Sequence, residues 1–213
     1  TLVTDLNVLA TFDPKVPASY TEAPVLLLGN LAPAVQAKVL DQFPNRPALV
    51  IMDTMNFWMD IAWDDLMAVI KRVDVLTIND EEARQMSKEH SLVKAAQKIL
   101  KMGPKYLIIK KGEHGALLFH DSHVFFAPAL PLEEVVDPTG AGDTFAGGFA
   151  GYLAKTQNFS FENMKRALIY GSALASFCVE KFGTENILDI DANKLRDRVS
   201  DFRRLSYVDF LTD

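Results

Sequence analysis

The sequence predicts an α/β fold, a mostly parallel central sheet with helices on both faces. Three observations carry that prediction. Short apolar runs such as residues 25–28 (Val-Leu-Leu-Leu, closed by Gly29) and 48–52 have the length and continuity of strands buried on both sides. Longer stretches of helical periodicity separate them, the pattern of β-α-β units. Polar residues stand directly after the runs, Asp53, Asn79 and Lys110 among them, which places them at the C-terminal strand ends where such sheets bind ligands.

Taken in order, residues 1–9 read as a strand and its exit, and 25–29 as the first buried strand. Pro33 opens a helix to about Phe43, with Val35, Val39 and Leu40 at helical spacing. Residues 48–52 form the next strand, and 64–72 a helix. Residues 74–78 are a strand running straight into Asn79-Asp80-Glu81-Glu82 and a short helix. Residues 92–102 follow as a helix whose apolar face is Ala95, Ala96, Ile99 and Leu100. Residues 106–109 are a strand leading into Lys110-Lys111-Gly112-Glu113-His114-Gly115, and 116–119 with 123–126 form a hairpin about Asp121-Ser122. Pro128, Pro131 and Pro138 punctuate a loop, and helices fill about 141–154, 161–180 and 192–202. No repeat, low-complexity tract or linker divides the chain, so 1–213 reads as one domain.

With 213 residues, 49% of them hydrophobic, the chain can bury one sizeable core. A net charge of -6 argues against a nucleic-acid binder that works by neutralising phosphates, yet leaves room for a nucleotide enzyme with a few local donors. The single cysteine, Cys178, excludes an intrachain disulfide and reads as a small core residue on a helix. No apolar run has the length of a membrane span and no signal peptide is visible, so a cytoplasmic protein without a membrane partner is expected.

Gly140-Ala141-Gly142-Asp143 precedes a strongly helical segment. Small residues at a helix start leave backbone N–H groups open, and with the helix dipole they make an anion site. The run is neither a Walker A loop, since no Gly-Lys-Ser/Thr follows, nor a dinucleotide fingerprint. Beside such a site Asp143 could take a proton from an attacking hydroxyl; on the tetrapeptide alone it reads equally as a helix N-cap.

The longer string Asp137-Pro-Thr-Gly-Ala-Gly-Asp143-Thr-Phe-Ala-Gly147-Gly148-Phe-Ala150 resembles, over fourteen positions, the C-terminal signature of the PfkB carbohydrate kinases, the ribokinase-like family. The resemblance implies a three-layer α/β/α sandwich and transfer of the γ-phosphoryl group of ATP to a hydroxyl of a small sugar or sugar-like molecule. A nucleoside acceptor is the alternative, and a non-catalytic nucleotide-binding piece the second. It implies Asp143 as base and Gly140, Ala141 and Gly142 as the anion hole. It further assigns Asn79 and Glu82, otherwise a capping box, to magnesium-bound water and phosphates. Lys110, Gly112 and Gly115, otherwise a tight turn, match a strand-turn that contacts ATP. Ser176 and Gly183 fall on the wall of the adenine pocket.

Asp53 and Asn56 loosely match a substrate-pocket segment, with the Asn one position late and no arginine after it. Asp137 and Thr139 match the place where some relatives bind a monovalent cation such as K+. A homodimer is left open. The family's N-terminal strands and most of its lid have no counterpart here, so the chain is expected to be the nucleotide-binding portion, with 1–8 a remnant of a lid strand.

Overall fold

A computed structural model describes residues 5–207. The apolar runs become β1 (Val25–Leu28), β2 (Leu49–Asp53), β3 (Val75–Asn79) and β4 (Tyr106–Lys110), which pair in parallel in chain order. Two antiparallel strands, β5 (Ala116–His120) and β6 (His123–Ala127), extend the sheet beyond β4 as the expected hairpin.

Each parallel crossover carries its helices on one face: α1 (Pro33–Asp41), α2 (Asn56–Ile61), α3 (Trp63–Ile70), α4 (Asp80–Ser87) and α5 (Leu92–Leu100). The opposite face is covered by α6 (Ala141–Thr156) and α7 (Phe161–Cys178). A single helical turn, α8 (Glu185–Leu188), and a longer helix, α9 (Ala192–Ser206), follow. The alternation of strand side chains makes this division visible residue by residue. Val50 and Met52 enter the core under α1–α5, whereas Leu49 and Ile51 enter the core under α6 and α7. The result is the expected three-layer α/β/α sandwich.

The small residues of α6 have the packing use their pattern suggests. A Cβ on Gly148 would meet Leu174 Cδ1 at 2.7 Å and Gly171 Cα at 3.1 Å, and one on Gly171 would meet Phe145 O at 2.7 Å. The two glycines let α6 and α7 close on each other, which offsets the entropic cost of glycine in a helix.

The lid strand expected over 1–8 lies half outside the described residues. Residues 1–4 lie outside the described residues, Asp5 and Leu6 belong to no strand, and Asn7–Thr11 is a 3-10 turn. Asp5 Oδ1 accepts from Asn7 N–H at 3.1 Å and Asn7 has φ 45°, a local Asx arrangement that competes with extended pairing. The short helix α2 was not expected, since six residues are too few to show a helical period. Trp58 is buried and stacks edge-on with Phe57 at 4.9 Å. No helix among the described residues is long and apolar enough to cross a membrane.

Candidate active site

The glycine-rich run forms the N-terminus of α6, with Gly140 as the cap at φ 80° and no side-chain capping bond. Ala141 N–H reaches Pro138 O at 3.2 Å, and Thr144 N–H closes the first turn on Gly140 O at 2.9 Å. The N–H groups of Gly140, Gly142 and Asp143 have no acceptor among the described residues. Free donors and the positive end of a sixteen-residue helix therefore coincide. Asp143 lies in the first turn, exposed, and does not cap the helix, since the cap position belongs to Gly140. Its carboxylate accepts no hydrogen bond among the described residues. The cap explanation of Asp143 is thereby removed.

The loop ahead of the helix is tied to the end of α7. Val136 and Asp137 N–H both donate to Val179 O, at 2.8 and 3.3 Å. Asp137 Oδ1 accepts from Thr139 N–H at 2.9 Å, a bond that lowers the Asp137 pKa. Cys178, buried as expected, places Sγ 3.7 Å from Thr139 O.

The ends of β2, β3 and β4 supply the facing groups. Asn79 and Glu82 form the full capping box of α4: Asn79 Oδ1 accepts from Glu82 N–H at 2.8 Å, and Glu82 Oε2 from Asn79 N–H at 2.7 Å. Glu82 Oε1 has no such partner among the described residues. Glu82 is only 7% exposed, and burial raises its pKa against the opposing pull of the Asn79 N–H and of Lys110; Asp53 and Glu81 push it further up. Lys110 Nζ lies 2.7 Å from Asp53 Oδ2 and 3.5 Å from where a Cβ on Gly142 would stand. Asp53, Glu82, Lys110 and the α6 N-terminus thus meet at one place.

Other expected residues fall elsewhere or carry a second duty. Asn56 begins α2, exposed. Gly112 (φ 56°) opens a 3-10 turn ending at His114, and Gly115 (φ 83°) lies so close to β6 that a Cβ would be 2.1 Å from Ala127 O. Gly115 is therefore required by packing whatever else it does. The Ser176 hydroxyl is occupied: it donates to Ala173 O at 2.7 Å and accepts from Arg198 at 2.9 Å. Gly183 is exposed at φ 62° after α7.

Three features escaped the sequence reading. Gln36, buried in α1, donates to Gly29 O at 2.8 Å and Asp53 O at 3.0 Å and so joins the ends of β1 and β2. Arg198 of α9 reaches Glu180 with two bonds of 3.1 Å and stacks on Phe177 at 3.8 Å. The Asp53–Lys110 pair was not foreseen as a pair. A Gln at helical spacing with the apolar Val39 and Leu40 is the one signal that could have marked Gln36.

The site fits an anion: three free N–H groups, an ammonium and a helix N-terminus converge. For a metal, no group of three or more His, Cys, Asp or Glu gathers among the described residues. Oε1 of the buried Glu82, without a partner among the described residues, is the carboxylate oxygen that could meet an ion keeping most of its waters, the habit of magnesium.

Sandwich and strand-end site together define a three-layer α/β/α class that takes its ligand at the C-terminal strand ends. The pfkB family carbohydrate kinase model matches residues 15–191, and the chain belongs to this family. It is 35% identical over 141 residues to a cytidine kinase of Thermococcus kodakarensis, covering 64% of this chain and 50% of that one. A nucleoside kinase structure from Methanocaldococcus jannaschii superposes with a TM-score of 0.70 at 20% identity, over 91% of this chain and 60% of that one. A ribokinase structure from Thermotoga maritima gives a TM-score of 0.63 at 28% identity, over 95% and 60%. The chain thus spans about half the length of the cytidine kinase it matches.

Proposed function

We propose that this chain carries the ATP site and the catalytic base of a kinase that phosphorylates a hydroxyl of a small sugar or sugar-like molecule. The observation that carries the reading is the uncapped Asp143 carboxylate beside free N–H groups at the start of α6. In the proposed mechanism Asp143 accepts the proton of the attacking hydroxyl while the N–H groups of Gly140, Gly142 and Asp143 receive the charge that develops on the phosphoryl oxygens. Ala141 serves by conformation more than by donation, since its own N–H is spent on Pro138 O.

Lys110 meets the phosphates as a mobile point charge. Glu82, through its unpaired Oε1, and Asn79 would hold the water shell of magnesium, which supplies charge neutralisation on the phosphates when bound. Gly112 and Gly115 shape the turn facing the nucleotide, and Ser176 and Gly183 contribute the backbone of the adenine wall. Asn56, exposed at the start of α2 just past the end of β2, is a candidate contact for the acceptor. For a monovalent cation Asp137 offers Oδ2, because Oδ1 holds Thr139 N–H; K+ dependence of turnover decides that point. With ATP as donor, the setting is the cytoplasm.

The ribokinase likeness favours a sugar acceptor, and the cytidine kinase relative keeps a nucleoside as the second reading. The test is ADP release from magnesium–ATP with ribose and fructose on one side and cytidine and adenosine on the other, alongside ATP titration by calorimetry. Acceptor-dependent ADP release supports the kinase and names its class. ATP binding without turnover assigns a nucleotide-binding role alone, and absence of ATP binding contradicts both.

A further inference from the structure

We propose that Asp53 is a positioning residue that acts through Lys110, as the resident counter-ion of the phosphate subsite, and is not a grip on the acceptor. This rests on the kinase reading above and assigns a role within the same site.

Asp53 is 5% exposed, and both of its oxygens are committed: Oδ1 accepts from Thr54 N–H at 2.8 Å and Oδ2 from Lys110 Nζ at 2.7 Å. A carboxylate that grips sugar hydroxyls needs oxygens exposed to the pocket, whereas this one is almost wholly buried and each oxygen already holds a donor. Its partner reaches it across a strand. Asp53 lies in register with Thr77, and Lys110 with Asn79, so the lysine on β4 spans the end of β3 to find the carboxylate on β2.

Lysine carries three donors, and one goes to Asp53. The other two have no partner among the described residues, although the side chain is 20% exposed. The ammonium also stands close to Gly142, in van der Waals reach of where its Cβ would be, and so beside the positive end of α6. Two positive features side by side repel unless an anion lies between them or next to them. In this structure Asp53 is that anion. When phosphate arrives, the lysine can turn its free donors to it.

A group is also at hand to take over at Asp53. The Thr77 hydroxyl, on the same sheet face at the neighbouring register position, is fully buried and without a hydrogen-bond partner. An orphaned buried hydroxyl calls for an occupant or a second state. A shift of Lys110 towards phosphate supplies one, with Thr77 donating to the carboxylate oxygen that the lysine has loosened.

The test is calorimetry of ATP and of adenosine, which lacks the phosphates, on the unaltered chain and on D53N, K110M and D53N/K110M, with thermal melts on each. The expected order of ATP affinity is D53N at or above the unaltered chain, then the double variant, then K110M. K110M should lose about tenfold or more, since it deletes a phosphate ligand and bares a buried negative charge. D53N should restore part of that loss by removing the bared charge. Adenosine affinity should be the same in all four.

Should K110M alone fail to fold, the same substitution in the D53N background carries the test and must weaken ATP but not adenosine. Absence of rescue, or an unchanged ATP affinity on adding K110M to D53N, overturns the proposal. So does an equal effect on adenosine, which would make the pair purely structural. An unaltered chain that binds no ATP overturns the kinase reading itself, and the role of the pair with it.

Discussion

At the N-terminal ends of the parallel strands, Asp74 is 3% exposed and lies among donors that outnumber it: Val50 N–H at 3.0 Å, Arg46 at 2.7 Å and Lys105 at 3.0 Å. Burial alone would raise its pKa, and these bonds overcome burial and lower it. At the C-terminal ends of the same strands Glu82 is buried to a similar degree, yet burial prevails and its pKa goes up. One of its oxygens is unpaired, as are the free donors of Lys110 and of the α6 N-terminus. Both edges are charged and buried. The first is satisfied internally, and the second is left short of partners that a ligand would bring. Strain of that kind marks a functional edge better than the mere presence of charged residues does.

The comparison can be broken at either edge. The largest stability effect is expected from Asp74→Ala, which orphans the buried Val50 N–H and should cost about 2–3 kcal/mol in urea unfolding, with ATP affinity unchanged. A neutral result would show that the first edge is no more constrained than the second. Arg198→Ala should cost less, about 1–2 kcal/mol, because Glu180 can turn to solvent. Glu82→Gln is expected to be the smallest and of opposite sign. It keeps the capping geometry and removes a buried charge, so stability should hold or rise by up to about 1 kcal/mol, while magnesium-dependent phosphoryl transfer falls. A clear loss of stability there would mean that Glu82 serves the fold and not the site.

The two carboxylates also titrate in opposite senses. The folded-state pKa of Asp74 is depressed, so its contribution is complete above the ordinary aspartate range and is lost as pH falls through its lowered value. Glu82 is raised, so the folded state binds the proton more tightly, and stability declines as pH climbs from the ordinary glutamate range through its raised value. Unfolding measured across acidic pH should lose the first slope in Asp74→Asn and the second in Glu82→Gln.

Much of this was readable in the sequence. The runs behind β2, β3 and β4 are continuous because those strands are buried on both faces, and the helical period of α5 follows from a single apolar side. Asn79, Glu82 and the Gly140–Gly142 run stood out because their spacing is local. What did not show was everything made by distant partners. Asp53 meets Lys110 from 57 positions away, and Ser176 meets Arg198 from 22. No periodicity records such pairs, so neither the Asp53–Lys110 pair nor the Ser176–Arg198 pair was expected. α2 was missed for a related reason: six residues are too few to show a period.

In the proposed kinase Asp143 removes the proton from the attacking hydroxyl. The direct measurement is single-turnover phosphoryl transfer by Asp143→Asn, with ATP affinity determined on the same protein. Transfer should fall by about 10²–10⁴-fold at unchanged ATP affinity, because the substitution removes a base and no nucleotide contact. Transfer within a few-fold of the unaltered chain would contradict the account.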